Sequence, residues 1–330
     1  GNPRRDIIGR PNALDRDVFH DPSEHPLLWA EDALSMPAPL VKAWTARHGE
    51  DRARALALGA LEEPDLSLRV VAGEREAVAT ELALLGVVTR PGTHPRILLA
   101  AAEASEAALA SDLMRSGRIS VQGETALRAA EAVQAQGGES LLDLCAAPGG
   151  KTAVLLASGA HVVACDVGEE KLARLRSTLE RLSLSERAEL CVSDGTSNVP
   201  AREFDGVLVD APCTNTGVLA ARPEARWRYG PKTKAELVTL QARLIREGAA
   251  RVRPGGRLVW STCSLDPDEN ARLVRKFLEE DPRFALEEEL ESLPGDALSP
   301  PLDLSALPTE SGARGNGPID GGYFARLRRR

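Results

Sequence analysis

The sequence predicts an α/β protein in which a doubly wound, mostly parallel sheet is preceded by a smaller α+β domain. Three observations predict it. From Ser140 onward, short apolar runs alternate with helical stretches, the signature of repeated strand–helix–strand units. Before Ile119 the segments are shorter and less regular. A glycine-rich turn follows the first apolar run of the regular part and opens a helix. These patterns divide the chain into a polar arm or linker at 1–26, a small α+β domain at 27–120 and the main domain at 121–330.

Taken in order, Pro39–Glu63 reads as helical with a break near Gly49, Leu66–Val71 as a strand and Glu74–Leu85 as a helix. Gly86–Thr89 and Ile97–Ala100 read as short strands, and Ala104–Met114 as a further helix. Ile119–Gln122 then leads into a joining helix, Glu124–Gln136. In the regular part the strands are Leu141–Leu144, His161–Cys165, Glu189–Val192, Gly206–Val209 and Arg257–Trp260, with helices clearest at Glu169–Leu182 and Lys234–Val252. Asp266-Pro-Asp-Glu269 has the form of a helix start, with Asp266 as cap, Pro267 in the first turn and Glu269 at the capping-box position. Gly322–Leu327 closes the pattern as a last strand.

Composition narrows the function classes. At 330 residues the chain is long for one domain, and with 43% apolar but only 3% aromatic residues its core is built mostly of Ala, Leu and Val. No apolar stretch reaches the length of a membrane span, and Gly1–Glu31 is interrupted by Pro, Asp and Arg, so the expectation is a cytoplasmic protein without membrane contact; a monomer is the separate default expectation. The five cysteines are odd in number, widely spaced and without a C-x-x-C, which argues against a disulfide scaffold and against a metal site. The net charge of −8 looks wrong for a nucleic-acid binder, but its location matters more than its sum. Seven acids and no base lie between Glu287 and Glu310, whereas Arg222, Arg226, Arg228, Lys232 and Lys234 face only Glu224 just after Cys213. A local basic loop of this kind can meet phosphate on an acidic protein.

The turn Asp143-Leu-Cys-Ala-Ala-Pro-Gly-Gly-Lys-Thr152 is a cofactor loop by position. Its glycines admit close backbone approach, and the helix it opens offers free N–H donors. A Walker A loop would need a glycine where Cys145 stands, and a dinucleotide fingerprint would need G-x-G-x-x-G in place of Ala146-Ala147-Pro148-Gly149-Gly150. S-adenosylmethionine wants glycine contacts together with acids at successive strand ends. Asp166 is placed for ribose hydroxyls, Asp194 for the adenine amino group, and Asp210 for the methionine ammonium or a target base. Cys145 lends its backbone to the loop, and Lys151 orients the loop or a neighbouring acid.

Cys213 and Cys263 each end an apolar run, fifty residues apart. On neighbouring parallel strands both thiols open at the carboxyl edge, where open α/β sheets bind ligands. Two thiols there suit addition to an electron-poor ring followed by elimination. Cys165 and Cys191 read as inert packing. Arg226-Trp227-Arg228-Tyr229 offers stacking and phosphate contacts, although Trp227 reads slightly better as a core anchor; Arg326, Arg328, Arg329 and Arg330 add either phosphate contacts or a solvated tail.

With these residues in view, the chain resembles the RsmB/NOP2/Sun family of RNA cytosine-C5 methyltransferases. The matching strings are Leu142-Asp-Leu-Cys-Ala-Ala-Pro-Gly-Gly-Lys-Thr152, Asp210-Ala-Pro-Cys213, Thr216-Gly-Val-Leu219 with Arg222-Pro-Glu-Ala-Arg-Trp227, Ser261-Thr-Cys-Ser-Leu-Asp-Pro-Asp-Glu-Asn270 and Asp320-Gly-Gly-Tyr-Phe-Ala325. The similarity runs from about Pro39 to the C-terminus, is very specific across 141–270, and looks most like the bacterial RsmB branch, which acts on small-subunit ribosomal RNA. The resemblance implies a class I methyltransferase fold with a seven-stranded sheet behind a small RNA-binding domain. It implies that Cys145–Lys151 with Asp166, Asp194 and Asp210 hold S-adenosylmethionine, that Cys263 is the nucleophile toward C6 of cytosine, and that Cys213 assists release of the product.

Asp210, if protonated or hydrogen-bonded near N3, would draw electrons from the ring and help addition at C6. Transfer RNA is an alternative substrate, and a non-catalytic ribosome-assembly role is an alternative function. A DNA cytosine methyltransferase would share the chemistry but would use the cysteine of its Pro-Cys motif as nucleophile. The chain departs from the family at Gly123 and Ala126, where Asp and Ser are common, at Ala220-Ala221, where Arg-Arg is common, and at Val71, where Asn is usual. All lie where RNA rather than cofactor contact is expected.

Overall fold

The structure, a computed structural model, describes residues 4–5, 14–295 and 320–330. Most of the first thirteen residues, and Asp296, Asp303 and Glu310 of the acidic run, lie outside the described residues. Three helices come first: α1 (Pro26–Leu34), α2 (Ala38–His48) and α3 (Glu50–Gly59). Gly49, at φ +82°, makes the turn between the last two. A four-stranded antiparallel sheet follows in the order β2-β3-β1-β4, from β1 (Leu66–Val70), β2 (Thr89–Pro91), β3 (Ile97–Ala100) and β4 (Ile119–Val121). The helices α4 (Arg75–Leu84), α5 (Ser105–Leu109) and α6 (Asp112–Arg115) belong to it, and Val78, Leu82, Leu113 and Met114 pack on Leu68, Val70 and Ile119.

After α7 (Glu124–Glu131) comes the large sheet, ordered β10-β11-β9-β8-β5-β6-β7. Its strands are β5 (Ser140–Leu144), β6 (His161–Asp166), β7 (Ala188–Val192), β8 (Phe204–Asp210), β9 (Val252–Thr262), β10 (Phe284–Ser292) and β11 (Gly322–Arg329). β9, β8, β5, β6 and β7 are parallel, and β11 is antiparallel to both of its neighbours. The strands alternate their side chains between two layers. Leu141, Val162, Ala164 and Leu208 meet α7, α8 (Gly150–Ala157) and α9 (Glu169–Arg181) on one face. Leu142, Val163, Val209 and Trp260 meet α11 (Pro231–Ala250) and α12 (Ala271–Glu280) on the other, α10 (Ala225–Arg228) being a single turn in the loop before α11. Both faces are therefore covered, as a doubly wound sheet requires. The chain leaves β5 toward β6 and later returns to its other side as β8. The switch point is thus the carboxyl end of β5 and β8, where ligands are expected.

Several sequence-based boundaries move, each for a local reason. The strand expected at Gly86–Thr89 starts only at Thr89, because Gly86 is left-handed and Val87 N–H still caps Leu82 O of α4. The helix expected over Ala104–Met114 is divided, since Ser111 Oγ accepts the Met114 N–H and begins a new helix. The helix expected to reach Gln136 stops at Glu131, just before the left-handed Gln134. α1 and β10 have no counterpart in the sequence expectation. β10 holds the first acids of the run, Glu287, Glu288, Glu289 and Glu291, and Arg326 and Arg328 of β11 bind Glu287 at 3.0 and 2.8 Å. Neither reading of the terminal arginines holds for these two, or for Arg329, which binds Glu203 at 2.9 Å: they are internal ion-pair partners.

Gly248 shows how tightly α11 lies on the sheet: a Cβ there would sit 2.7 Å from Val209 Cγ2 and 3.3 Å from Leu258 Cδ1. In an open helix Gly→Ala adds about 1 kcal/mol, but overpacking a core costs about 1–3 kcal/mol. Gly248→Ala is therefore expected to lower Tm in a thermal melt, by about 2–4 °C for each kcal/mol lost. A rise in Tm would contradict this packing.

Candidate active site

β8 and β9 are parallel neighbours with Val209 beside Trp260 and Asp210 beside Ser261. Cys213 lies three residues beyond β8 and Cys263 one residue beyond β9, so the register brings both thiols to the same edge. Their sulfur atoms are 3.3 Å apart. Cys213 is buried at 7% exposure, whereas Cys263 is partly open, so the more accessible sulfur is that of Cys263. Its hydrogen bond to Cys263, its burial and the charge of Glu269 all push the Cys213 thiol well above the usual thiol range.

The two loops are tied to each other at every level. Gly217 N–H donates to Cys263 O (2.9 Å), Gly321 N–H donates to Gly217 O (2.7 Å), and Leu265 N–H donates to Thr216 Oγ1 (2.8 Å). A Cβ at Gly217 would lie 2.5 Å from Gly321 O, so this crossing admits only glycine. Asn215, left-handed at φ +58°, donates from Nδ2 to Cys213 O (2.8 Å) and accepts the Cys263 thiol on Oδ1 (3.1 Å). Asparagine tolerates that conformation, and this tolerance was the one sequence signal that could have found it.

Glu269 is not the capping-box residue expected. α12 begins at Ala271, and the Glu269 side chain is fully buried among donors from the two cysteine loops. Oε1 accepts from Thr214 N (3.0 Å) and Gln241 Nε2 (2.8 Å), while Oε2 accepts the hydroxyls of Thr214 and Ser264. The N–H that a capping-box glutamate would take, that of Asp266, is held instead by Ser264 Oγ at 2.9 Å. Burial raises the Glu269 pKa, with the hydrogen bonds from Ser264, Thr214 and Gln241 opposing. Asp266 does accept a turn N–H, that of Asp268 (2.9 Å).

On the other side of the thiols stands the loop after β5. Cys145 (φ +65°) and Gly149 (φ +101°) turn it, and Ala146 N–H bonds Cys165 O at 2.9 Å. Asp166 Oδ2 accepts from Ala147 N (2.9 Å), and Oδ1 accepts from Val167 N (2.7 Å) and meets Lys171 Nζ at 3.0 Å. Lys151 Nζ donates to Asp210 Oδ2 at 2.7 Å. Burial works against the Lys151 charge, but Asp210, Cys263 and Asp143 outweigh it and its pKa is raised. The lysine thus links the loop, the acid after β8 and the Cys263 site. Asp194 is placed differently from Asp166 and Asp210. It is exposed, and its Oδ1 accepts the N–H groups of Thr196 (2.8 Å) and Ser197 (2.7 Å), so it shapes its own turn.

The residues around this loop fit S-adenosylmethionine. α8 opens on Gly149, which provides no side-chain cap, and has no acid in its first turn, so its N–H groups remain available to a carboxylate. Asp143 is fully buried, with Oδ2 taken by Thr152 Oγ1 (2.6 Å) and Oδ1 without a partner among the described residues. Burial raises its pKa to about 7.

Other expected positions also resolve. Cys165 is buried in the core beside Cys191 on the next strand, and both are free thiols. Trp227 is 69% exposed and is no core anchor. Arg226 instead is the buried member, donating to Ala60 O at 2.7 Å, and Lys234 is held by Asp266 (3.1 Å) and Asp268 (2.9 Å). Arg222, Arg228 and Lys232 stay on the surface near Trp227 in the chain. Gly123 is crowded by another acid: a Cβ there would sit 2.0 Å from Asp320 Oδ2, and burial raises the Asp320 pKa to about 6.

The sheet order and the loop after β5 are those of the class I S-adenosylmethionine-dependent methyltransferase fold. Residues 130–315 match the family model described as 16S rRNA methyltransferase RsmB/F, and the chain belongs to that family. It is 40% identical over 179 residues to ribosomal RNA small subunit methyltransferase B of Salmonella arizonae, and the same holds for the protein of that name from Salmonella paratyphi B. The match covers 52% of this chain and 41% of each relative, so the chain spans less than half the length of these proteins. Among solved structures, that of PH0851 is 26% identical with a TM-score of 0.78, covering 95% of this chain and 70% of that one. NSun6 from Pyrococcus horikoshii with SFG shares the fold at 18% identity and a TM-score of 0.71, covering 89% and 98% of the two chains. No helix among the described residues is long and apolar enough to cross a membrane.

The buried Asp143 gives a pH signature. An acid whose pKa is about 7 folded and about 4 unfolded holds its proton in the native state over that window, so stability falls as pH rises through it. Asp143→Asn keeps an acceptor for Thr152 and removes the titration. The stability difference between variant and parent, from urea melts, is therefore expected to shift in the variant's favour between about pH 4 and pH 7 and to level off above. A difference independent of pH would contradict it.

Proposed function

We propose that this chain methylates C5 of a cytosine in RNA, with small-subunit ribosomal RNA as the substrate, through a covalent adduct between Cys263 and C6. The observation that carries the reading is the 3.3 Å approach of two thiols beside the Lys151–Asp210 pair at the sheet's carboxyl edge. C5 of cytosine is too weak a nucleophile to take a methyl group unaided. Addition of the Cys263 thiolate to C6 pushes an electron pair to C5, so one hard step becomes easier ones. When bound, S-adenosylmethionine supplies the electrophilic methyl. Loss of the C5 proton to a base then expels the Cys263 sulfur and restores the ring.

Burial supports different parts for the two thiols. Cys263 is the more open of the two, which supports it as the sulfur that meets the ring. Cys213 is buried with its thiol held well above the usual range, and its 3.3 Å approach supports a role in giving its own proton to the departing sulfur. Asp210 has one oxygen tied to Lys151, and its other oxygen accepts from the polar edge of the cytosine ring. The base must leave its helix to reach the thiols. Trp227, exposed and flanked by Arg228, offers a stacking face for a neighbouring base. The name of the Salmonella relatives and the family description support ribosomal RNA as the substrate.

Single cysteine variants test the assignment. With Cys213→Ala, RNA is expected to accumulate on the protein as a band stable to denaturing electrophoresis. With Cys263→Ala, both that band and tritium transfer from labelled S-adenosylmethionine to RNA are expected to vanish. The reverse pattern would transfer the nucleophile to Cys213 and contradict the mechanism.

A further inference from the structure

Between the two thiol loops lies a buried carboxylate to which the chemistry above gives no part. Glu269 has no exposed surface and touches neither the cofactor loop nor the opening at Cys263. Its four donors come from the residue after Cys213, the residue after Cys263, and α11. Oε1 takes the Thr214 N–H, and Oε2 takes the Thr214 and Ser264 hydroxyls, which also lie 2.9 Å from each other. Gln241, the fourth donor, uses the same amide nitrogen to hold Pro212 O (2.8 Å), the residue before Cys213. Cys213 is thus held on both sides, and Cys263 on its C-terminal side, through one side chain.

The backbone of Glu269 is held from the sheet: its carbonyl accepts the Trp260 indole N–H at 3.0 Å, three residues before Cys263. Asn270 continues the clamp, accepting from Thr262 Oγ1 (2.5 Å) and donating to Ser264 O (2.8 Å). A buried carboxylate is costly, and a loop crossing that served folding alone could be made of apolar side chains. What a carboxylate adds is two acceptors at fixed separation, which set the distance between the two groups donating to them.

We propose that Glu269 is the positioning residue that fixes the spacing of the Cys213 and Cys263 sulfur atoms. The proposal deepens the covalent-addition reading and rests on it for its effect on catalysis, but the spacing can be measured without RNA. Diamide oxidises two neighbouring thiols to a disulfide and is itself reduced to the hydrazine, the two thiol protons passing to its nitrogens. Its rate at this pair, read as the Cys213–Cys263 cross-linked peptide by mass spectrometry, reports how often the two sulfurs meet.

Glu269→Asp keeps the charge and shortens the reach, whereas Glu269→Gln keeps the reach and loses the charge. Glu269→Asp is expected to slow diamide cross-linking by about tenfold or more and single-turnover methyl transfer by about a hundredfold. The KM for RNA and the calorimetric affinity for S-adenosylmethionine are expected to stay at parental values, and Glu269→Gln to recover part of both rates. Should Glu269→Asp fail to bind S-adenosylmethionine, Thr214→Val, which removes one hydroxyl donor and leaves the acid, is read in the same way. Parental cross-linking in these variants overturns the proposal, whatever happens to methyl transfer. If the parent transfers no methyl group to RNA while Glu269→Asp still slows cross-linking, the clamp stands and the assigned reaction falls.

Discussion

The parallel pairing of β8 with β9 is the constraint on which the rest of the site depends. It sets Asp210 beside Ser261 and releases two loops at one edge, with their sulfurs in contact at 3.3 Å. A slip of one residue would turn every side chain of a strand to the other face, carrying Trp260 out of the core and both loops out of register. Interior packing guards against that slip. Trp260 is fully buried under α11 and α12, and its indole N–H is taken by Glu269 O. The N-terminal helices help from outside: Trp29, Trp44 and Leu56 share one apolar cluster with Leu219 and Leu265 from the two thiol loops.

Charge is arranged around the same edge in a graded way. Asp143 and Asp320 have pKa values raised by burial and hold their protons more tightly than free carboxyls. Asp210 is instead paired with Lys151, whose pKa is raised despite its burial. Glu269 lies behind Cys213 and opposes its ionisation.

Much of this was legible in the sequence, because the strand–helix alternation after Ser140 and the turn at 143–152 are local patterns. The apolar runs ending at Cys213 and Cys263 placed both thiols at the carboxyl edge before any geometry was known. What was not legible depends on partners far away in the chain. Glu269 sits at a helix-start position by spacing, and only the fold shows that Thr214 and Ser264 draw its carboxylate inward. β10 was hidden because its acids offer no apolar run, and only the fold sets Arg326 and Arg328 of β11 against Glu287. Trp227 was misjudged for the opposite reason: a large apolar side chain suggests a core, and its exposure is set by the buried Arg226 beside it. The absence of the usual acid at 123 also has a tertiary explanation, since Asp320 fills that space from the start of β11.

The most direct test of the account is the chemical identity of the sulfur that adds to the ring. RNA carrying 5-fluorocytosine at the target position cannot release its C5 substituent as a proton, so addition and methylation would leave the adduct trapped. Digestion and tandem mass spectrometry of the trapped complex are expected to place the nucleotide on Cys263 in the peptide containing Ser261–Ser264. A nucleotide on Cys213, or methylated fluorocytosine released without any protein adduct, would contradict the central claim.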